Sequence, residues 1–548
     1  MKFLAPSTSV AASAIAALLA GSAWIYHRRW VEEQRILDAK EKQSSILVVD
    51  IGSSSVRASA YVHRHGTWVL VPGSLQQHKM RALASDGTAD YHVIQRAVEH
   101  VMDATLRWMA AQQEFRVLGV GFSCFAMSLV GVGALGTPVT PVLTYAGKSA
   151  AEAKSLAQSL AAQELLQEMY NRTGVPIHPC YAGPQLLHHN PTAVHTWQSL
   201  VGTLLRHWTD AKDTAVPMSY SEASWTGLLA FRDAIWDAKL LELAQINPAT
   251  LPPPQASSSS QPSFSPASQE PSVPLKAKLT TSYAKRWPLL RDAKMYLALA
   301  DGAAANIGSK CSTPDRIGLT VGTSAAMRVM CPVAAVQKVP RGLWCYRVDA
   351  THALVGGALT DGGSVFEWAT QTLAFPQDVH AQLAAMAPHA HGLSILPFFN
   401  GERAPGWHED ATCVISGIKI STTPVHMLRA LMESVALRLA TIHALFGNVA
   451  SPNAVLVSSG TALGSSPLWR QIIADCIGRP VWIETDAIEL TSRGIAIFTG
   501  AHLGLNDLQT VAPLHPDAHC AQPSTPAHAT YLAARQAQDA LYHNVLHR

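Results

Sequence analysis

Ile46-Leu-Val-Val-Asp50-Ile-Gly52-Ser53-Ser54-Ser55-Val-Arg57 is the stretch on which the fold turns. Residues 46–50 are a short continuous apolar run ending in polar turn residues, the pattern of a strand in a sheet covered on both faces. A second strand is expected at 57–62 and a third at 68–71, with Gly66 supplying the turn between them. The small hydroxylic turn between the first two strands lets backbone N–H groups and hydroxyls approach phosphate oxygens, because no bulky Cβ substituent intervenes. A carboxylate at the strand end can hold a hydrated Mg²⁺, an ion that takes only one or two carboxylates. An ordinary Ser-rich hairpin has the same composition, so this stretch alone leaves both readings open.

Working outward, a helix is expected over 93–112 and a further strand over 117–122. The second half then restarts the pattern. Ile317-Gly-Leu-Thr-Val-Gly322-Thr323-Ser324 again runs a strand into a small-residue turn. Ser458-Ser459-Gly460-Thr461-Ala462 follows a strand at 454–457 and precedes a helix near Pro467, and its glycine would let a flat base or ribose lie on the backbone. That internal echo predicts two related α/β domains with a cleft between them, each carrying a phosphate-type turn.

The rest of the chain bounds this reading. With 548 residues the prior is two to four domains, and 48% apolar against 14% charged residues is a core-forming composition. A net charge of +3, with no Lys/Arg block, gives no reason to expect a nucleic-acid partner. The eight cysteines form no C-x-x-C pair, so they read as reduced, mostly packed thiols. Residues 252–274 are almost entirely Pro, Ser, Gln and Ala and read as a disordered insert within a folded body. His188-His189 is expected on a helix surface, Trp344 and Trp368 in the core, and Lys419, Arg429 and Arg438 on solvated faces.

Residues 10–26 are an apolar, Ala-rich run followed by His27, Arg28 and Arg29. This length sits at the lower limit of the roughly 17–25 residues of a membrane span. A membrane anchor with a cytoplasmic body, a cleaved signal and a mitochondrial transit segment compete for it, and a cytoplasmic location without an anchor is a further reading.

The order Asp-Ile-Gly-Ser-Ser, Thr-Val-Gly-Thr-Ser and Ser-Gly-Thr-Ala resembles the actin, Hsp70 and sugar kinase superfamily. The detail resembles its FGGY carbohydrate kinase branch. Gly417-Ile418, His426 and Ala430-Leu-Met-Glu433 fit the C-terminal signature of that branch. Pro397-Phe-Phe-Asn-Gly401-Glu402-Arg403-Ala-Pro405-Gly-Trp407 is similar to gluconokinase-like members. Ala300-Asp301-Gly302-Ala-Ala-Ala-Asn306-Ile-Gly308 matches the segment that carries the family's catalytic base. The likeness covers residues 45–510.

It implies two duplicated ribonuclease H-like α/β domains, at 45–290 and 291–513, after an N-terminal segment 1–44 and before a C-terminal tail or helix at 514–548. It implies ATP and Mg²⁺ as cofactors, with Asp50, Gly52, Ser53, Ser54, Arg57, Gly322, Thr323, Ser324, Gly460, Thr461 and Ala462 at the nucleotide. Asp50 and Asp301 would meet the metal. Asp301 would be the base, which its place after an apolar, helix-like run at 295–300 and before a small-residue helix allows, although a helix cap would look the same. Ser123, Met127, Tyr181, Asp301, Glu402 and Arg403 would line the acceptor pocket. The partner would be a small sugar or sugar acid, gluconate-like before a ketopentose such as xylulose or ribulose, and a homodimer is a further expectation.

The acceptor pocket departs from the family repeatedly. Gluconokinase-like members carry Tyr/Trp-Ala-Asp-Thr-Arg where this chain has Tyr145-Ala146-Gly147-Lys148-Ser149, a histidine at Met127, and a lysine at Gln185. Polar substrate groups left unpaired would cost about 1–3 kcal/mol each. Compensation by Lys148, Glu402 or Arg403, a shifted substrate, and a membrane-tethered nucleotide-binding pseudokinase are the three readings of these losses.

Overall fold

The run 46–51 is wholly buried because it is the middle of a sheet covered on both faces. In the computed structural model, which describes residue 28 and residues 42–81, 83–189, 193–211, 216–254, 274–459, 461–484, 489–510, 513–514 and 520–546, it lies in the strand Gln43–Ile51. That strand pairs antiparallel with Ser55–Arg64, which pairs antiparallel with Thr67–Leu70 through the turn at Gly66. On its other side it pairs parallel with Phe115–Cys124. A parallel partner needs a crossover, and the helix Tyr91–Gln112 supplies it, capped by the Asp90 carboxylate accepting from the His92 and Val93 amides at 2.7 and 3.1 Å.

The second sheet repeats this plan. Arg316–Val321 pairs antiparallel with Ala325–Pro332, which pairs antiparallel with His352–Leu359, and Arg316–Val321 pairs parallel with Val455–Ser459. Two sheets with the same hairpin-then-crossover order are the duplicated ribonuclease H-like α/β fold expected from the sequence. Each has its own apolar core, one around Ile46–Val49, Phe122 and Trp208, the other around Ile317, Val355 and Leu456. A smaller three-stranded sheet, Pro138–Thr144, Ser128–Val132 and Thr196–Ser199, carries a third core and the helices Ala150–Ala162 and Ala182–His188.

Several expectations change. Residues 295–300 are extended rather than helix-like: Lys294–Met295 and Leu299–Ala300 pair parallel with Phe115–Cys124. Because those pairings complete the first sheet, a division after residue 290 falls inside its strand set. Beyond residue 513, Cys520–Ala521 pairs with Val481–Ile483 and the helix Thr525–Leu546 buries Tyr531, Ala534 and Tyr542, so this segment is part of the second core. Finally, Arg429 and Arg438 are not solvated. They lie on the helix Pro424–Leu445, which is buried along most of its length, and their charges are met by Glu433 at 2.6 Å and Glu402 at 2.6 Å. Burial of a guanidinium is tolerated only with such a partner. Trp344 is buried as expected, whereas Trp368 is 37% exposed.

No helix among the described residues is long and apolar enough to cross a membrane. Residues 10–26 and 255–273 lie outside the described residues.

Candidate active site

The first turn is closed by the Gly52 amide donating to the Ser55 carbonyl at 2.9 Å, which leaves Ser53 and Ser54 at the tip. The Tyr145 hydroxyl donates to Ser53 Oγ at 3.1 Å, so an aromatic side chain from the three-stranded lobe steadies the turn. Asp50 stands at the end of its strand, opposite Arg57 on one neighbour and Ser123 on the other. Its carboxylate accepts from Arg57 at 3.3 Å, and Arg57 also reaches Glu489 at 3.3 Å. Arg57 therefore bridges two carboxylates rather than standing open to a nucleotide. The Ser123 hydroxyl is buried beside the Asp50 carboxylate and favours its charged form.

The second turn is braced from the helix Gly363–Thr372. The Gly362 and Ser364 amides donate to the Thr323 carbonyl at 2.9 and 3.2 Å, and the Gly363 amide donates to the Gly322 carbonyl at 2.6 Å. A side chain at Gly322 would meet nothing within 4 Å, so the turn opens onto free space, while Thr323 and Ser324 are exposed. Ala462 Cβ lies 3.8 Å from the position a Gly363 Cβ would take, which brings the third small-residue motif beside the second. Thr461 opens the short helix Thr461–Ser465, and Gly460 lies outside the described residues.

Asp301 opens the helix Asp301–Gly308 and its Oδ1 accepts from the Gly302 amide at 2.7 Å. Burial raises its pKa above the ordinary carboxylate range, against the opposing pull of Arg328 and the Gly302 amide. Burial likewise pushes Asp50 up to about 6; Arg57 opposes this and the Asp301 charge adds to it. Two desolvated carboxylates that repel each other beside a buried hydroxyl are the donor set a hard, hydrated cation takes, so the residues present fit Mg²⁺.

The Tyr181 and Tyr346 hydroxyls share a 2.7 Å hydrogen bond between the lobe and the second sheet. His178 Nε2 meets Glu409 at 2.8 Å and its ring packs edge-on against Trp407 at 5.2 Å, a second tie across the same boundary. Arg403 is half-buried near Tyr346; burial pushes that phenol well up, and Arg403 only partly opposes the rise.

Two expected acceptor residues are taken up elsewhere. Glu402 is 3% exposed, and its carboxylate accepts from Arg438 at 2.6 Å and the Tyr542 hydroxyl at 2.7 Å, so packing rather than a ligand uses both oxygens. The Met127 side chain is buried in the lobe core with Leu129, Leu143 and Ala182. Lys148 is exposed. Arg328, Tyr346 and Glu489 were not anticipated. Only the turn preceding Arg328 carries a sequence signal.

The changes at Gly147, Ser149 and Gln185 form one packing unit. Gln185 Nε2 donates to the Thr144 and Pro179 carbonyls, both at 2.8 Å, and Ser149 Oγ donates to the Pro179 carbonyl at 3.3 Å. A Cβ at Gly147 would lie 2.5 Å from Gln185 Nε2. The residue lost at 147 is thus the room that the Gln185 amide occupies. Gly147→Asp alone is expected to destabilise the protein by about 1–3 kcal/mol through overpacking. Gly147→Asp with Gln185→Lys is expected to recover most of that, as urea unfolding in a double-mutant cycle would show.

Residues 45–267 match the N-terminal domain, and residues 318–503 the C-terminal domain, of the FGGY family of carbohydrate kinases. The chain is 24% identical over 457 residues to a gluconokinase of Bacillus subtilis (strain 168), covering 79% of this chain and 82% of that one. It is 28% identical over 359 residues to a glycerol kinase of Trichlorobacter lovleyi, covering 61% and 66%. Among solved structures it superposes on a gluconate kinase from Lactobacillus acidophilus with a TM-score of 0.76 at 23% identity, covering 92% of this chain and 98% of that one. A xylulose kinase from the same organism gives 0.77 at 23% identity with the same coverage. With both domain matches falling on the two halves of a duplicated fold, in order, the chain belongs to the FGGY family of carbohydrate kinases.

Proposed function

We propose that this kinase transfers the terminal phosphoryl group of ATP, taken with Mg²⁺, to a hydroxyl of an open-chain sugar acid of the gluconate type. The observation that carries this reading is Asp301, half-buried at a helix start and close enough to Asp50 for the two charges to interact. Asp50 and Asp301 would hold the metal, which when bound neutralises charge on the transferring phosphoryl group.

The protein's own groups do the rest. Asp301 accepts the proton of the attacking hydroxyl as the new P–O bond forms. The amides and hydroxyls of Ser53, Ser54, Thr323 and Ser324 lie where they can receive phosphate oxygens, and Ala462 lies at the nucleotide side of the second turn. The ties Tyr181–Tyr346 and His178–Glu409 hold the lobe against the second sheet and exclude water from the acceptor. Intact carboxylates at 50 and 301 do not favour a pseudokinase.

The test is ADP release, coupled to NADH oxidation, across gluconate, other aldonates, xylulose, ribulose and glycerol. Gluconate or another six-carbon aldonate should give the highest kcat/KM. A neutral ketopentose preferred over every aldonate would replace this reading, and the absence of acceptor-dependent ADP with all of them would end it.

A further inference from the structure

Resting on the sugar-acid reading above, we propose that Arg328 binds the carboxylate of the acceptor and so selects a sugar acid over a neutral sugar. Arg328 lies on the strand Ala325–Pro332, just past the second phosphate turn. Its cross-strand neighbours are Gly318 on one side and Gly356 on the other. Neither has a side chain to cover it. A Cβ at Gly318 would meet Asn306 Oδ1 at 2.2 Å, so this face of the sheet packs against the helix Asp301–Gly308. The Arg328 side chain reaches along that helix to its first turn. Its Nε, Cζ and Nη2 lie 3.2, 3.7 and 3.8 Å from the position of a Gly302 Cβ. Gly302 is therefore the space that admits the guanidinium beside the base.

No ion pair or hydrogen bond of the Arg328 side chain is formed with any described residue. The other enclosed arginines contrast with this. Arg429 pairs with Glu433, Arg438 with Glu402, Arg493 with Glu484 at 3.1 Å, and Arg347 donates to the Phe231, Arg232 and Ala350 carbonyls. The Arg328 guanidinium is half-buried with the Asp301 charge nearby and its N–H groups are free to donate, and a planar carboxylate that accepts two N–H groups at once is the ligand that matches it best.

The position fits the acceptor rather than the nucleotide. Arg57 and Glu489 surround Asp50 on the phosphate side of the base. Arg328 instead lies near Tyr346, which is bonded to Tyr181 and has Arg403 close by. An acceptor whose hydroxyl reaches Asp301 would carry its carboxylate past Gly302, toward this group.

The experiment compares D-gluconate with D-gluconamide, the same carbon chain with the charge removed, in the wild-type enzyme, Arg328→Lys and Arg328→Gln. Wild-type enzyme should prefer gluconate, and Arg328→Gln should raise KM for gluconate about 100-fold, the loss of a charged two-point contact. Its gluconate-to-gluconamide ratio of kcat/KM should collapse toward one, and Arg328→Lys should keep part of the preference. An equal fall in kcat with both acceptors would overturn the proposal and assign Arg328 to the phosphoryl group or the base. An unchanged ratio would overturn it as well. Wild-type enzyme that turns over a neutral ketose but not gluconate would instead sink the sugar-acid reading, before any variant is measured. Circular dichroism and MgATP titration of each variant separate these outcomes from misfolding.

Discussion

Asp301→Asn is expected to lower kcat about 10²–10⁴-fold, the usual contribution of a positioned general base, with the KM for ATP changed little. Asparagine keeps the shape and can still accept from the Gly302 amide as Asp301 does at 2.7 Å, so the helix start survives and the loss is chemical. Burial favours the neutral form of Asp301, so proton acceptance is lost as pH falls through a value above the ordinary carboxylate range. The kcat profile of the parent enzyme should show that acid limb, and the variant's residual rate should lack it. Stopped-flow or coupled ADP measurements from pH 5 to 9 check both points. A variant at full rate would remove Asp301 from the role of base.

The second large effect concerns stability. Arg438 is 1% exposed, donates to Glu402 at 2.6 Å, and lies over the Tyr542 and Phe398 rings at 4.7 and 5.5 Å. Removing it leaves the Glu402 charge buried with the Tyr542 hydroxyl as its remaining side-chain donor among the described residues. Arg438→Met should cost about 3–5 kcal/mol in urea unfolding, the range for breaking a buried pair from one side. Arg438→Met combined with Glu402→Leu should restore most of the loss, because paired apolar replacements remove both desolvation costs. If the double variant were as unstable as the single one, Glu402 would owe its burial to something other than this pair. Since Tyr542 comes from the last helix, shortening the chain before residue 525 should weaken the same cluster.

Both predictions rest on residues whose types were legible in the sequence but whose partners were not. The nucleotide side was readable because it is local. A strand, a two- or three-residue turn and the next strand place Asp50 with Gly52–Ser54, and Gly322 with Ser324, using only backbone geometry and residues adjacent in sequence. The repeat of that pattern carried the duplicated fold, and Asp301 before a run of small residues carried the proposal of the base. The acceptor side was not readable in the same way. Met127, Glu402 and Arg403 were assigned by likeness to a family motif, and only Arg403 stays half-open near the cleft.

The reason is separation along the chain. Glu402 meets Arg438 and Tyr542, 36 and 140 residues away, and these determine that its charge is spent inside the second core. Tyr181 meets Tyr346 across 165 residues. Gly147 and Gln185 looked like two independent losses, yet their atoms compete for one volume, a fact about packing that no local pattern encodes. Arg328 is the inverse case. Nothing in its neighbourhood along the strand marks it, and the two facing glycines and the turn at Gly302 bring a guanidinium with no hydrogen bond to the described residues beside the base.

What the sequence determined by itself, then, is the duplicated α/β framework, the two small-residue turns and the carboxylate of Asp50 beside the first of them, since each depends on neighbours within a few residues. What the tertiary structure alone decided is which polar side chains remain free to meet an acceptor. That choice depends on whether a distant residue reaches the same charge first, and burial makes an unmet charge too unfavourable to leave without a partner or a ligand.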